Sequence, residues 1–308
     1  MNRSGHVLVA GAINTDLVAL MDRAPEPGET ITGTGFSIHP GGKGGNQAVA
    51  VARSGVPVSI LSAIGEDDFG SGRLDDLRLE GVDTASVSTV LDAPSGVAMI
   101  FVEASGENRI AYIPGATLRV SPDAGERAVR ETPPACILAT NELPLETLSA
   151  LFTIARGSAI PVVLNATPDP IAARPLLDRA SVLIVNEGEG RSLSDTARDA
   201  TPEEVIAALQ RLGPDGVVMT LGSDGAIGMD GAQAFHHRAP EVEVADTTGA
   251  GDAFCGAVVA RLMAGATLSE ATHYGVHAGA LAVTRLGAQP SIPDAEAVRR
   301  FMAGTQAT

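Results

Sequence analysis

The feature that most constrains this chain is a recurring one: short apolar runs that each end in a small or polar residue. His6-Val-Leu-Val-Ala10 leads into Gly11-Ala-Ile-Asn14-Thr-Asp16, Cys136-Ile-Leu-Ala-Thr140 into Asn141-Glu142, and Pro161-Val-Val-Leu164 into Asn165. Val182-Leu-Ile-Val185 leads into Asn186, and Gly216-Val-Val-Met-Thr-Leu221 into Gly222. Apolar runs of this length, with no polar residue at every second position, are typical of strands buried on both faces of a parallel sheet. A further strand is expected over Val58–Ala63, and helices are expected over 68–80, 145–155, 268–284 and from Asp294. Ser121-Pro122 reads as an N-cap and first helical residue, and Thr201-Pro-Glu-Glu204 has capping-box spacing. Strands alternating with helices predict an α/β fold, a doubly wound, mainly parallel central sheet flanked by helices. Ligands of such sheets bind beyond the carboxyl ends of the strands, so the polar strand-end residues are the first candidates for a site.

The alternation is interrupted once. Ser95–Val102 and Arg109–Ile113 flank a Gly-containing turn and read as a hairpin, and residues 25–40 form an excursion with some β character but no helical period. Together they predict a small second sheet. No repeat or linker divides the chain, so residues 1–308 are read as one domain with a β-sheet lid over approximately 14–40 and 94–114.

Two glycine-rich stretches carry the chemistry. In Pro40-Gly-Gly-Lys-Gly-Gly-Asn-Gln47, four glycines surround Lys43 at a helix start. The spacing fits neither a Walker A loop nor a dinucleotide Gly-x-Gly-x-x-Gly, since positions 37, 44 and 47 are Ser, Gly and Gln. What remains is a glycine floor from which Lys43 and Asn46 project polar groups, suited to a polyol or a phosphate. In the second stretch, an alternating segment containing Val242 and Val244 runs into Asp246-Thr-Thr-Gly-Ala-Gly-Asp252, and a small-residue helix is expected from near Asp252 to about Met263. The amides at a helix start bind anions. A carboxylate there repels a phosphate, and Asp252 is explained if it accepts a proton from a hydroxyl attacking that phosphate. The helix end should also make this acid stronger.

Composition removes other classes. A formal charge of −16 and 3% aromatics argue against nucleic acid as a partner, which needs clustered cations or stacking platforms. Cys136 and Cys255 lie among apolar or small residues and read as buried thiols with no disulfide framework or zinc spacing. His236-His237 has no spaced third ligand and reads as surface. No apolar run reaches transmembrane length, and the first residues lead straight into a strand without a signal-peptide core. A soluble, cytoplasmic protein with no membrane partner is the expectation.

Gly41-Gly-Lys-Gly-Gly-Asn-Gln-Ala48 and Asp246-Thr-Thr-Gly-Ala-Gly-Asp-Ala-Phe254, in this order, resemble the two signatures of the ribokinase-like (PfkB) carbohydrate kinases. Gly11–Asp16, Pro27-Gly-Glu-Thr30 and Ala282–Pro293 extend the resemblance over nearly the whole chain. It implies ATP-dependent phosphorylation of a sugar hydroxyl, first of all ribose to ribose 5-phosphate, with Mg2+ and K+. By the same resemblance Asn14, Asp16, Gly42, Lys43, Asn46 and Glu142 would hold the sugar. Asp252 would be the base, with the amides of Gly249, Ala250, Gly251 and Asp252 as the anion hole. Asn186, Thr220, Gly222, Ser223, Gly225 and Gly251 would contact the nucleotide, with Glu189 toward magnesium through water. Asp246, Thr248, Ala282, Arg285, Gly287 and Ser291 would form a potassium site, several through backbone carbonyls. The lid would double as a homodimer interface. Two stretches depart from the family pattern: Val276-His277 stands where relatives often have Asn near the adenine, and Asn165-Ala-Thr-Pro168 where many have Asn-Pro-Ala-Pro.

Kinases for fructose, a keto-deoxy acid or a nucleoside share this chemistry, and scarce aromatics disfavour the nucleoside. A non-catalytic sugar or nucleotide sensor would be expected to lose Asp252 or its glycine turn, and both are present. A nicotinamide oxidoreductase would need the dinucleotide fingerprint that is missing.

Overall fold

The computed structural model describes residues 5–305. Its strands in chain order are β1 (Val7–Ala10), β2 (Asn14–Met21), β3 (Gly35–Gly41), β4 (Val58–Gly65), β5 (Val87–Val90), β6 (Gly96–Glu103), β7 (Asn108–Ile113), β8 (Cys136–Thr140), β9 (Val162–Asn165), β10 (Val182–Asn186), β11 (Gly216–Thr220), β12 (Ala226–Asp230) and β13 (Gln233–His237). The α-helices are α1 (Lys43–Arg53), α2 (Asp68–Leu79), α3 (Pro122–Glu131), α4 (Leu145–Gly157), α5 (Glu187–Ser194), α6 (Pro202–Gln210), α7 (Ala250–Met263), α8 (Leu268–Ala282), α9 (Ala288–Ser291) and α10 (Ala295–Thr305).

Nine strands form the main sheet in the order β13-β12-β11-β10-β9-β8-β1-β4-β5. Neighbours from β11 to β5 are all parallel, and β12 and β13 are antiparallel. Alternate residues of β1 enter different cores. Leu8 and Ala10 pack with Phe152 of α4 and Leu209 of α6, whereas Val7 and Val9 pack with Val51 of α1 and Val258 of α7. Two helical layers therefore sandwich the sheet, and strands buried on both faces lose polar alternation, as the sequence reading expects. Since β4 lies on one side of β1 and β8 on the other, the connections diverge there. A crevice opens beyond the carboxyl ends of these strands, where such sheets bind ligands.

The small sheet is a separate four-stranded one, ordered β3-β2-β6-β7. Asn14 and Asp16, which the sequence places in a strand-end segment, already belong to β2. Asp16 is paired with His39 and Ala98, and Ala98 with Tyr112, so these side chains share one face of the sheet.

Local signals hold well. Ser121 Oγ accepts the Ala124 amide at 3.3 Å, and Thr201 and Glu204 form a reciprocal capping box. Both cysteines are buried. Among the described residues no helix is long and apolar enough to cross a membrane.

Three readings are corrected. The segment containing Val242 and Val244 is irregular; instead of joining a sheet, the Ala245 and Asp246 amides that follow it both donate to the Val283 carbonyl. Helix α7 begins at Ala250, two residues before the expected start, so Asp252 lies inside its first turn. Finally, His236 is at the surface, but His237 turns inward and stacks on His273 with ring centroids 4.9 Å apart.

Candidate active site

A cavity of about 550 Å3 occupies the crevice, between the strand ends, the starts of α1 and α7, and the small sheet. It is lined by Asn14, Asp16, Gly42, Lys43, Asn46 and Glu142 on one side, and by Asn186, Glu189 and Thr220 on the other. Gly249, Gly251 and Asp252 complete the wall between them. Residues 238 positions apart in the chain (14 and 252) are thereby brought to one space.

The turn that presents Asp252 is built on Gly249, whose φ of 78° caps α7. A Cβ there would stand 2.9 Å from the Cα of Ala288, so only glycine fits. The Ala250 amide is turned to the Thr247 carbonyl at 3.3 Å. Those of Gly251 and Asp252 donate to no backbone carbonyl among the described residues, as the first turn of a helix leaves them. Asp252 Oδ2 accepts from Asn46 Nδ2 at 2.9 Å and Oδ1 from Gln47 Nε2 at 3.0 Å. The expectation of a strengthened acid is reversed. Burial pushes the Asp252 carboxyl above its ordinary value, outweighing the opposing effects of Lys43, Asn46 and Gln47. A dipole acts over one helix end, whereas desolvation acts on the whole charge.

Glycine at 42, with φ 86°, lets the chain turn into α1, and a Cβ there would lie 2.5 Å from the Ala12 carbonyl oxygen. The first amides of α1 then meet Glu142. Its Oε2 accepts from Ala12 N (2.8 Å), Gly44 N (3.0 Å) and Thr140 Oγ1 (2.8 Å), and Oε1 from Lys43 N (3.2 Å). Glu142 thus locks β1, β8 and α1 together, with acceptor capacity left only at Oε1. Burial pushes its carboxyl up against the pull of these donors. Burial also works against the Lys43 ammonium, but Asp252, Glu142 and Glu189 outweigh it and hold Lys43 above the usual lysine value. Asn14 Oδ1 and Asn46 Oδ1 are buried without a hydrogen-bond partner. Unpaired buried oxygens are costly unless a ligand's hydroxyls satisfy them.

On the far side, Asn186 and Glu189 form a capping box at the start of α5, both bonds 2.8 Å, so the Asn-x-x-Glu pair has a structural role of its own. Gly222, Ser223 and Gly225 lie in the turn after β11, outside the cavity lining. Asp246 Oδ1 accepts from the amide and hydroxyl of Thr248, and Oδ2 from the Gly287 amide at 2.8 Å. Burial raises this carboxyl, but those bonds win and hold it below its ordinary value. Ala282 and Arg285 are joined in the adjoining turn by a 3.1 Å backbone bond, and Ser291 is buried with its hydroxyl on the Ala288 carbonyl. The structure thus unites Asp246, Thr248 and Gly287 directly.

The cavity also recruits residues to which the sequence reading assigns no role. Tyr112 reaches in from β7, its hydroxyl pushed up to about 12 by burial and by the Glu142 charge, with Asn14 opposing. Gln47 lies in the glycine-rich signature and Asn165 at a strand end, and both positions were visible signals. Nothing local says that Gln47 touches both Asp252 and Asn165.

The family model for pfkB family carbohydrate kinases matches residues 4–295. The chain belongs to that family. It is 34% identical over 301 residues to ribokinase of Haemophilus influenzae, covering 96% of this chain and 97% of that one. It is 37% identical over 303 residues to ribokinase of Schizosaccharomyces pombe, covering 94% and 95%. Among solved structures, Arabidopsis thaliana ribokinase complexed with ribose and ATP matches with a TM-score of 0.89 at 28% identity, over 97% of this chain and 99% of that one. The protein is an ATP-dependent carbohydrate kinase with the doubly wound fold expected from its strand pattern.

Proposed function

We propose that the chain phosphorylates ribose at its terminal hydroxyl, giving ribose 5-phosphate and ADP from ribose and ATP. The observation that supports this most is the setting of Asp252. Two side-chain amides orient its carboxylate, it lines the cavity, and it lies in the first turn of a helix where the Gly251 and Asp252 amides are unspent. The sugar oxygen bonds to the γ-phosphorus as the bond to ADP breaks, and the hydroxyl proton passes to Asp252. Such transfers depend mainly on positioning and charge neutralisation. Burial, by raising its pKa, gives Asp252 a proton affinity suited to a general base.

Asn14, Asp16, Gly42, Lys43, Asn46 and Glu142 hold the sugar in this reading, with the unpartnered oxygens of Asn14 and Asn46 as acceptors. Gly249, Gly251 and Asp252 present amides to the transferring phosphoryl, while Ala250, its amide held by the Thr247 carbonyl, shapes the turn between them. Asn186, Thr220, Gly222, Ser223 and Gly225 take the nucleotide. Glu189 would hold magnesium through water, and the ion bound with ATP would neutralise charge on the outer phosphates. Asp246 remains ionised and braces the loops of residues 246–248 and 282–291, whose carbonyls suit a potassium ion. Residues 1–308 act as one domain, with 14–40 and 94–114 as the lid. The protein works as a cytoplasmic homodimer joined through that lid, where Phe36, Ile38 and Met99 share one face and are 66%, 48% and 43% exposed.

Asp252→Asn is expected to lower kcat roughly 10²–10⁴-fold with little change in sugar binding. Steady-state rates with ribose and ATP test this, and near-normal turnover would refute the assignment.

A further inference from the structure

We propose that Gln47 is a positioning residue for the Asp252 carboxylate, held in its working orientation by Asn165. The inference rests on Asp252 being the base. The Gln47 carboxamide is wholly buried, and its Nε2 donates both to Asp252 Oδ1 at 3.0 Å and to Asn165 Oδ1 at 2.9 Å. Asn165 in turn donates from Nδ2 to the Ile184 carbonyl of β10 at 3.2 Å. That last bond decides the rest. With its NH2 committed to a sheet carbonyl, Asn165 can offer Gln47 only an oxygen. A flipped Gln47 amide would set its own oxygen against both Asn165 Oδ1 and the carboxylate.

Gln47 can therefore only donate toward Asp252, and its donor direction is set by the backbone of the central sheet. With Asn46 on Oδ2, each carboxylate oxygen holds one amide donor, which fixes the carboxylate plane and favours its ionised form. This opposes burial, which pushes the carboxyl up. The other charged or titratable groups around it are Lys43 of α1, Asp16 of β2, Glu142 after β8, Glu189 of α5 and Cys255 of α7. Lys43 stabilises the anion, and the acids oppose it.

The test is kcat against pH at saturating ribose and ATP, where protonation of Asp16 in the sugar site weighs little. Gln47→Met keeps the volume and removes the donor. It is expected to lower kcat roughly 10–100-fold, to move the acid limb of the profile to higher pH, and to change ribose KM less than kcat. Gln47→Glu places a second acid beside the base, so the pair shares a proton and the limb moves further. Asn165→Leu releases Gln47 and shifts the limb in the same direction. This order would not arise from a packing role alone. Should Gln47→Met fail to fold, as judged by circular dichroism, Gln47→Glu carries the same readout. An acid limb that stays in place in folded variants, while Asp252→Asn is inactive, overturns the positioning role and leaves the base intact. An active Asp252→Asn overturns both.

Discussion

Asp16→Asn should make the ligand-free protein more stable and its sugar binding worse. Asp16 stands on the small sheet facing the cavity, and its carboxyl is pushed from 3.8 up to about 6, chiefly by burial. Arg73 opposes the shift, while the charges of Asp252 and Glu142 add to it. Asp16 accepts no hydrogen bond among the described residues, so only the Arg73 charge offsets the cost of its ionisation. A raised carboxyl pKa means that the folded state takes up the proton more readily than the unfolded chain. The penalty is absent below the unfolded value, grows as pH rises through the window, and is complete above about pH 6. Two units correspond to about 3 kcal/mol, trimmed to about 2 kcal/mol by partial solvent access. With an unfolding entropy of about 2 cal/mol/K per residue, that shifts Tm by roughly 3 °C. Asparagine cannot ionise, so Asp16→Asn should melt about that much higher at pH 7.5, with the advantage fading toward pH 4. Sugar hydroxyls donate to the anion, so the wild-type ribose KM should rise as pH falls below about 6. In the variant, KM should be roughly 10–100-fold higher and flatter with pH. Thermal melts from pH 4 to 8 and initial rates measure both. A variant that melts no higher than wild type at pH 7.5, or a wild-type KM flat through pH 6, would refute the reasoning.

Deleting residues 104–108, the exposed turn after β6 together with the first residue of β7, should raise the ratio of ATP hydrolysis to sugar phosphorylation, because a lid excludes the water that competes for the phosphoryl group. An unchanged ratio would leave the hairpin with no such role. Replacing potassium by sodium at constant ionic strength should lower kcat, and identical rates would remove the cation site at Asp246. Sedimentation should give twice the chain mass, and Ile38→Asp, charging the exposed face of the small sheet, should shift it toward monomer. A monomeric wild type would remove the interface.

The legible parts of the fold were those governed by neighbours in the chain. The caps at Ser121 and Thr201 formed as their spacing implied, because a side chain reaching an amide three residues on needs no tertiary partner. The strands from β8 to β11 announced themselves by unbroken apolarity. The irregular segment around Val244 misled because its alternation matched a strand while no strand edge was paired with it. The short β5 carried too few residues to be seen, and β2 lay within the stretch read as lid without being marked as a strand, its first residues read as the end of β1.

For the site, sequence alone determined which chemical groups were available and which turns could present them. Gly249, Asp252, Lys43 and Asn46 were evident because glycine and helix-start chemistry are local. Tertiary structure decided how those groups are partnered. Glu142 proved to bind the ends of β1, β8 and α1, and Gln47 to link Asp252 with Asn165 across 205 and 118 positions of chain. Asp252 and Asp16 became weaker acids because the assembled layers remove water from them. Desolvation and long-range hydrogen bonding exist only once distant segments meet, so no reading of adjacent residues contains them.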